Sequence, residues 1–264
     1  MSNLDSVFLK HHYGERVHLL NDAFHSSLLA RLCHPSVHQP EINRCIEKLY
    51  QQLLTVAVNR ELEQESFSSS TRMTTLLPDQ KLHGYRIKSD QKMVCVDLMR
   101  AGIYPSQVCY EELHWLISHE KIRQDHIFAS RVTDDRHSVI GTQISAHKIG
   151  GDIKGSTVLF PDPMGATGTT IISTIDFYKK NIPGPAKQFL ALHLIVTPEY
   201  LKQVLKAHQD VVVYALRLDR GLSSNEVLES EPGKFWDKER GLTDNDYIVP
   251  GAGGFGEIMN NSFV

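Results

Sequence analysis

The chain has 264 residues, of which 41% are hydrophobic and 22% are charged, and its formal net charge is −3. This is the composition of a soluble globular protein that can bury a large core, and its slight acidity disfavours nucleic acid as a partner. The four cysteines form no Cys-x-x-Cys pair and no apolar run reaches 18 residues. We therefore expect a cytoplasmic protein without disulfides and without a membrane span.

The sequence of residues 1–90 indicates an N-terminal arm followed by one long helix. Residues 1–38 are of mixed composition, and Pro40 then stands where a helix can begin. Apolar residues follow at three- and four-residue spacing, which predicts an amphipathic helix over residues 40–63. They are Ile42, Ile46, Leu49, Leu53 and Val56. The Ser/Thr-rich stretch 66–75 is expected to break this helix.

Residues 91–219 alternate strand patterns with helix patterns, which is typical of a doubly wound, mostly parallel sheet with helices on both faces. The predicted strands are 92–98, 126–132, 156–161, 187–196 and 211–218. The predicted helices are 107–119, 168–180 and 198–208. Residues 220–264 are glycine-rich and irregular, so we expect them to form a C-terminal hood on a single α/β domain that spans residues 1–264.

The segment between strand 156–161 and helix 168–180 has the composition of an anion-binding loop. It follows a parallel strand and precedes a helix, where open α/β sheets bind ligands and free N–H groups favour phosphate. Two glycines permit close approach and three threonines add hydroxyl donors: Gly165, Gly168, Thr167, Thr169 and Thr170. Asp162 would repel phosphate, so we expect it to face ribose hydroxyls. The alternative is an ordinary strand–helix turn with a threonine cap.

Three motifs resemble, in order along the chain, motifs of the uracil phosphoribosyltransferase family. Residues 94–102 are similar to the family's strand and Leu-Arg-Ala-Gly pyrophosphate loop. Residues 162–168, Asp-Pro-Met-Gly-Ala-Thr-Gly, resemble its phosphoribosyl-diphosphate (PRPP) loop. Residues 247–253, Tyr-Ile-Val-Pro-Gly-Ala-Gly, resemble its uracil-binding segment. The resemblance covers roughly residues 90–264 and implies the type I phosphoribosyltransferase fold.

The resemblance implies the salvage reaction in which uracil and PRPP give UMP and diphosphate. It implies three catalytic residues: Arg100 on the pyrophosphate, Arg131 at the start of a mobile arm over residues 133–150, and Asp162 on the ribose. Further PRPP contacts would come from Ala101, Gly102, Pro163, Met164, Gly165, Ala166, Thr167, Gly168, Thr169 and Thr170. The uracil contacts would come from Tyr247, Ile248, Val249, Pro250, Gly251, Gly253 and Gly254.

The resemblance also implies a cofactor and partners. Pro163 stands where most type I members carry a second acid, so Mg²⁺ would be carried mainly by PRPP and not by a protein-built metal site. A homodimer or homotetramer is implied, with GTP as an effector as in part of the family. The family's pyrophosphate loop often contains a non-proline cis peptide, expected here at Arg100–Ala101 if one is present.

The chain departs from the family near the base. Gly254 and Glu257 stand where the family has two aspartates. Residues 223–239 look like an insertion beside the active site, because Arg-Gly-Leu at 220–222 is repeated at 240–242. Phe235 and Trp236 of this insertion would either pack on the hood or cover the base pocket. These departures leave open a catalytically weak PRPP- or nucleotide-sensing paralogue and a phosphoribosyltransferase for another base.

Overall fold

The strands at the centre of the sheet are apolar on both faces, as parallel strands covered by helices on both sides must be. They are β4 (Met93–Met99), β7 (Thr157–Pro161) and β9 (Gln188–Val196), flanked by β5 (Ile122–Thr133) and β10 (Val211–Leu218) in parallel register. The structure is a computed structural model that describes residues 7–133 and 139–262.

The eight-stranded sheet has the order β1-β10-β9-β7-β4-β5-β6, and the short β8 (Met164–Gly165) lies beside β9. β1 (Val17–Leu19) pairs with β10 in parallel, whereas β6 (Val139–Lys148) pairs with β5 antiparallel. β5 lies on one side of β4 in the sheet, and β7, the next parallel strand along the chain, lies on the other side. A switch point of this kind leaves a crevice at the carboxyl ends of the two strands.

Helices cover both faces of the sheet, which confirms the predicted doubly wound α/β fold. The first face carries α1 (Ala23–Leu32), α2 (Glu41–Glu61) and α3 (Ile103–Leu113), and the second carries α4 (Thr169–Asn181) and α5 (Pro198–Ala207). Four of the five residues in the predicted apolar stripe of α2 are buried within the chain, and the fifth, Val56, is partly buried. No helix in the described ranges is long and apolar enough to cross a bilayer.

The N-terminal 90 residues are more regular than predicted. β1 adds a strand to the sheet, and α1 begins after Asp22, whose side chain accepts the backbone N–H of His25. α2 ends at Glu61, before the Ser/Thr-rich stretch 66–75, and β2 (Gln64–Ser69) and β3 (Leu82–Ile87) then form an antiparallel hairpin that the sequence did not predict. Both faces of this hairpin are largely exposed, so no apolar alternation marked it in the sequence.

Other elements also differ from the predictions: α3 ends at Leu113 and not at 119, and β5 begins at Ile122 and not at 126. α3 begins at Ile103, four residues before the predicted 107, because Pro105 lies in the first turn, where its missing N–H breaks no helical hydrogen bond. The C-terminal 45 residues contain two short helices, α6 (Asn225–Leu228) and α7 (Phe255–Asn260). The division into one domain with an arm, a core and a hood stays a prediction.

Candidate active site

A cavity of about 640 Å³ opens at the switch point between β4 and β7. Its walls come from the loop after β4, the β5–β6 hairpin, the loop after β7, α5 and the C-terminal segment. Residues predicted from the sequence account for half of the lining: Arg100, Ala101, Asp162, Met164, Ala166, Thr167, Gly168, Thr170, Tyr247, Ile248, Gly253 and Gly254. The three motifs are therefore brought together around one space.

The other predicted residues lie in the same segments without lining the cavity: Gly102, Pro163, Gly165, Thr169, Val249, Pro250 and Gly251. Some of them shape the loops. A Cβ at Gly102 would lie 2.6 Å from the Leu98 carbonyl oxygen, and one at Gly165 would lie 2.9 Å from Val196. Arg131 lies on β5 opposite Thr142, but its side chain is outside the described residues, as are residues 134–138 of the predicted arm.

The site residues predicted from the sequence did not include the other half of the lining, although the sequence already pointed to Glu257 near the base. These residues are Leu98, Met99, Phe128, Ala129, Ser145, Ile171, Tyr200, Asp246, Ala252, Phe255, Gly256 and Glu257. Phe128 and Tyr247 are both about half exposed, so each offers an aromatic surface to the cavity. Phe128 could have been predicted as a site residue, because it lies near the end of a predicted strand, close to Arg131. No local pattern pointed to Tyr200 on α5.

Buried side chains hold the loop after β7 from beneath. His193 on β9 donates from Nδ1 to the Asp162 carbonyl at 2.5 Å, because a carbonyl can only accept. The Tyr200 hydroxyl then donates to His193 Nε2, also at 2.5 Å, and Thr197 donates to the Ala166 carbonyl at 2.6 Å. Burial lowers the pKa of His193 to about 4, which keeps the ring neutral in this arrangement.

The second half of this loop turns into α4. Gly168 precedes the helix with a φ of 85°, a left-handed conformation that side chains disfavour. A Cβ there would also lie 2.7 Å from a Val204 methyl group. The hydroxyls of Thr167 and Thr169 lie 3.0 Å apart beside the first N–H groups of the helix. The loop therefore has the strand–glycine–helix geometry that binds anions.

Arg100 is held by the C-terminal segment. Its Nη1 donates to the Ser262 carbonyl at 3.0 Å, and its Nη2 lies 4.0 Å from Glu257 Oε1. Glu257 Oε2 fills the space that a Cβ at Gly254 would occupy. The non-proline cis peptide of this loop is Met99–Arg100, one residue earlier than the expected Arg100–Ala101.

The insertion 223–239 packs away from the cavity and none of its residues lines it. The Trp236 ring meets Tyr13 edge-on at 4.9 Å, and its Nε1 donates to the Pro198 carbonyl at 3.0 Å. Glu239 is buried, accepts a hydrogen bond from the Tyr13 hydroxyl and pairs with Arg220 at 2.8 Å. The possibility that Trp236 covers the base pocket is therefore wrong, and the insertion rests on the N-terminal arm and α5.

Three carboxylates line the cavity: Asp162, Asp246 and Glu257. In the part of the chain that the structure describes, no three His, Cys, Asp or Glu side chains are grouped to hold a metal ion.

Comparison with known proteins identifies the family. The family model for uracil phosphoribosyltransferase matches residues 20–238, so it begins well before residue 90 and ends before the Tyr247 segment. A uracil phosphoribosyltransferase from Mycoplasma genitalium is 30% identical over 184 residues, which are 69% of this chain and 71% of that protein. One from Thermococcus kodakarensis is 26% identical over 180 residues, 68% of this chain and 65% of its own length.

A solved structure shares the fold. The AQ2163 protein from Aquifex aeolicus superposes with a TM-score of 0.69 at 17% identity, over 92% of this chain and 97% of that one. Since the family model spans most of the sequence and one named relative is 30% identical, the chain belongs to the uracil phosphoribosyltransferase family.

Proposed function

We propose that the protein transfers the phosphoribosyl group of PRPP to uracil, which yields UMP and diphosphate. The observation that carries this proposal is the convergence of the Arg100 loop, the Asp162 loop and the Tyr247 segment on one cavity. Both named relatives are uracil phosphoribosyltransferases. A role in pyrimidine salvage in the cytoplasm follows from the same resemblance.

The chemistry requires the C1′–O bond of PRPP to break while uracil N1 approaches C1′. Positive charge builds on the ribose and negative charge on the leaving diphosphate, so the protein acts mainly by positioning and electrostatics. We assign Arg100 to the diphosphate, because a guanidinium binds such oxygens through paired hydrogen bonds. We assign Asp162 to the ribose hydroxyls and the N–H groups of residues 166–170 to the ribose-bound phosphate.

The base would lie between the Tyr247 segment and the sugar. Backbone groups of Ile248 and Gly253, which line the cavity, can match the donor and acceptor edge of uracil. Cytosine reverses the donor and acceptor at N3 and at the 4-position, so it would leave buried polar groups unpaired, which is costly. Phe128 and Tyr247 would form the apolar walls.

Mg²⁺ would arrive with PRPP. The loop after β7 offers the Asp162 carboxylate followed by Pro163, so the chain supplies one acid at this point. We propose that PRPP oxygens and water provide most ligands of the ion, an arrangement that Mg²⁺ commonly adopts. The ion would neutralise charge on the diphosphate, and Arg100 would share that task.

The deciding experiment is to incubate the purified protein with PRPP, Mg²⁺ and one free base at a time, and to detect the nucleotide formed. We expect UMP from uracil and no product from cytosine. Consumption of another base would overturn the uracil assignment, and PRPP binding without any product would favour a sensing paralogue. Repeating the uracil assay with GTP tests the effector that the resemblance implies.

A further inference from the structure

An ion pair at the carboxyl end of β10, between a buried carboxylate and a partly buried guanidinium, holds both backbone polar groups of Gly251. Arg217 binds Asp219 through two hydrogen bonds of 2.6 and 2.8 Å. The Gly251 N–H donates to Asp219 Oδ2 at 2.7 Å, and Arg217 Nη2 donates to the Gly251 carbonyl at 2.9 Å. The Asp219 side chain is only 2% exposed. We name Arg217 and Asp219 the Gly251 clamp.

Gly251 is the residue at which the proposed base-binding segment turns. It adopts a φ of 63°, and a Cβ there would overlap the Ile248 carbonyl. Ile248 lines the cavity before this turn, and residues 252–254 line it afterwards. The direction of the chain at Gly251 therefore decides where these backbone groups point.

The pair is better suited to fixing geometry than to stabilising the fold. A buried ion pair gains little over apolar side chains of similar size, because the attraction is offset by the loss of hydration. A carboxylate that accepts the N–H of a residue and a guanidinium that donates to its C=O nevertheless fix the two peptide groups on either side of that residue.

We propose that Arg217 and Asp219 are positioning residues for base recognition, which hold the turn at Gly251 so that the backbone on both sides faces the base. This inference rests on the proposed function for the identity of the base. Neither residue touches the cavity, so their effect is transmitted through the backbone of Gly251.

The test variant is Arg217→Met combined with Asp219→Leu, which removes the clamp without leaving an unpaired charge. The matched control is Arg220→Met with Glu239→Leu. That second buried pair lies next along the chain, but it holds the insertion and not the base-binding segment. Arg217→Lys is a milder variant, which keeps the charge but not the planar fork.

We expect the clamp variant to raise the KM for uracil by about tenfold to a hundredfold and the KM for PRPP by less than about twofold, because only the base contacts are displaced. Amide hydrogen exchange at residues 251–254 should quicken by about tenfold or more. The control should change neither property, and Arg217→Lys should lie between wild type and the double variant.

Equal increases in both KM values, or unchanged hydrogen exchange, would overturn the clamp. Faster exchange with an unchanged KM for uracil would also overturn its role in base recognition. If the wild type forms no UMP, the proposed function fails, and hydrogen exchange still decides whether the clamp fixes this segment.

Discussion

Glu257 places a carboxylate in the space above Gly254. One of its oxygens fills the position of a side chain at residue 254, and the other lies 4.0 Å from Arg100. Glu257 stands where the family has the second of its two aspartates, so the chain keeps one of these two acids and places it in the space beside Gly254. We therefore predict that the chain is active although position 254 carries no acid.

Gly254→Asp tests this arrangement. Alone, it would force two carboxylates into one place, and we expect kcat/KM for uracil to fall by about tenfold, or about 1.4 kcal/mol. Adding Glu257→Ala should restore activity toward wild type, because one acid again occupies the site. Steady-state kinetics of Gly254→Asp, Glu257→Ala and the double variant measure the coupling between the two positions. Additive losses would mean that the two positions are independent.

Arg100→Ala should slow turnover much more than it weakens UMP binding. UMP lacks the diphosphate that we assign to Arg100, so removing the guanidinium costs about 2–4 kcal/mol in the transition state alone. Single-turnover kinetics measure the loss in the rate of reaction, and titration calorimetry measures the loss in affinity for UMP. Arg100→Lys is the control that retains the charge. Losses of equal size in both measurements would mean that Arg100 only maintains the fold.

At the scale of elements, the β7–α4 connection should bind a phosphate. A crystal grown with sulfate or phosphate should show the anion against the N–H groups of residues 166–170. Gly168→Ala should weaken UMP binding, because a side chain there opposes the φ of 85° and meets Val204. Strain of this kind costs about 1–2 kcal/mol. An anion bound elsewhere, with residues 166–170 closed by side chains, would contradict the assignment.

The buried His193, which holds the loop after β7, predicts that the stability of the protein depends on pH. Burial lowers the pKa of His193 from 6.5 to about 4, so between these values the unfolded chain binds a proton that the folded chain does not. The neutral His193 side chain therefore contributes about 3 kcal/mol to the free energy of unfolding at pH values above 6.5. This contribution is lost as the pH falls toward 4.

Urea unfolding at a series of pH values from 7 to 4 measures this contribution. His193→Gln does not titrate, so its free energy of unfolding should vary less with pH than that of wild type. His18→Gln is a suitable comparison, because burial also lowers the pKa of His18 to about 4, at a position far along the chain from the Asp162 loop. Identical pH profiles for wild type and His193→Gln would refute the assignment.

At the scale of the whole molecule, we predict at least a dimer. The apolar stripe of α2 offers no surface for a partner, because most of it is buried within the chain. The β2–β3 hairpin supports the prediction instead, since large apolar residues are exposed around its tip: Met73, Leu76, Leu77, Leu82 and Tyr85. Monomers rarely expose such a group of side chains.

Light scattering at micromolar concentration should give at least twice the mass of one chain. Leu76→Lys with Leu77→Lys should shift the protein toward monomer, whereas Phe24→Lys on α1, also an exposed apolar position, should not. A monomeric wild type would overturn the prediction.

Local sequence patterns were enough to predict most helices and strands of the core and the motif loops. The apolar spacing of α2, α4 and α5 and the buried runs of β4, β7, β9 and β10 are local patterns, because each element's period is set by its own backbone geometry. The loop from Asp162 to Gly168 could be predicted for the same reason, since strand, glycine and helix are adjacent in the chain.

Contacts between residues that are far apart along the chain could be seen only in the folded structure. Glu257 above Gly254, Tyr200 beneath the Asp162 loop and the Gly251 clamp depend on strand order and on the path of the C-terminal segment. β1 was missed because a three-residue strand at a sheet edge has too few residues to show a period. Contacts between segments far apart along the chain are determined by packing, which leaves no periodic trace in the sequence.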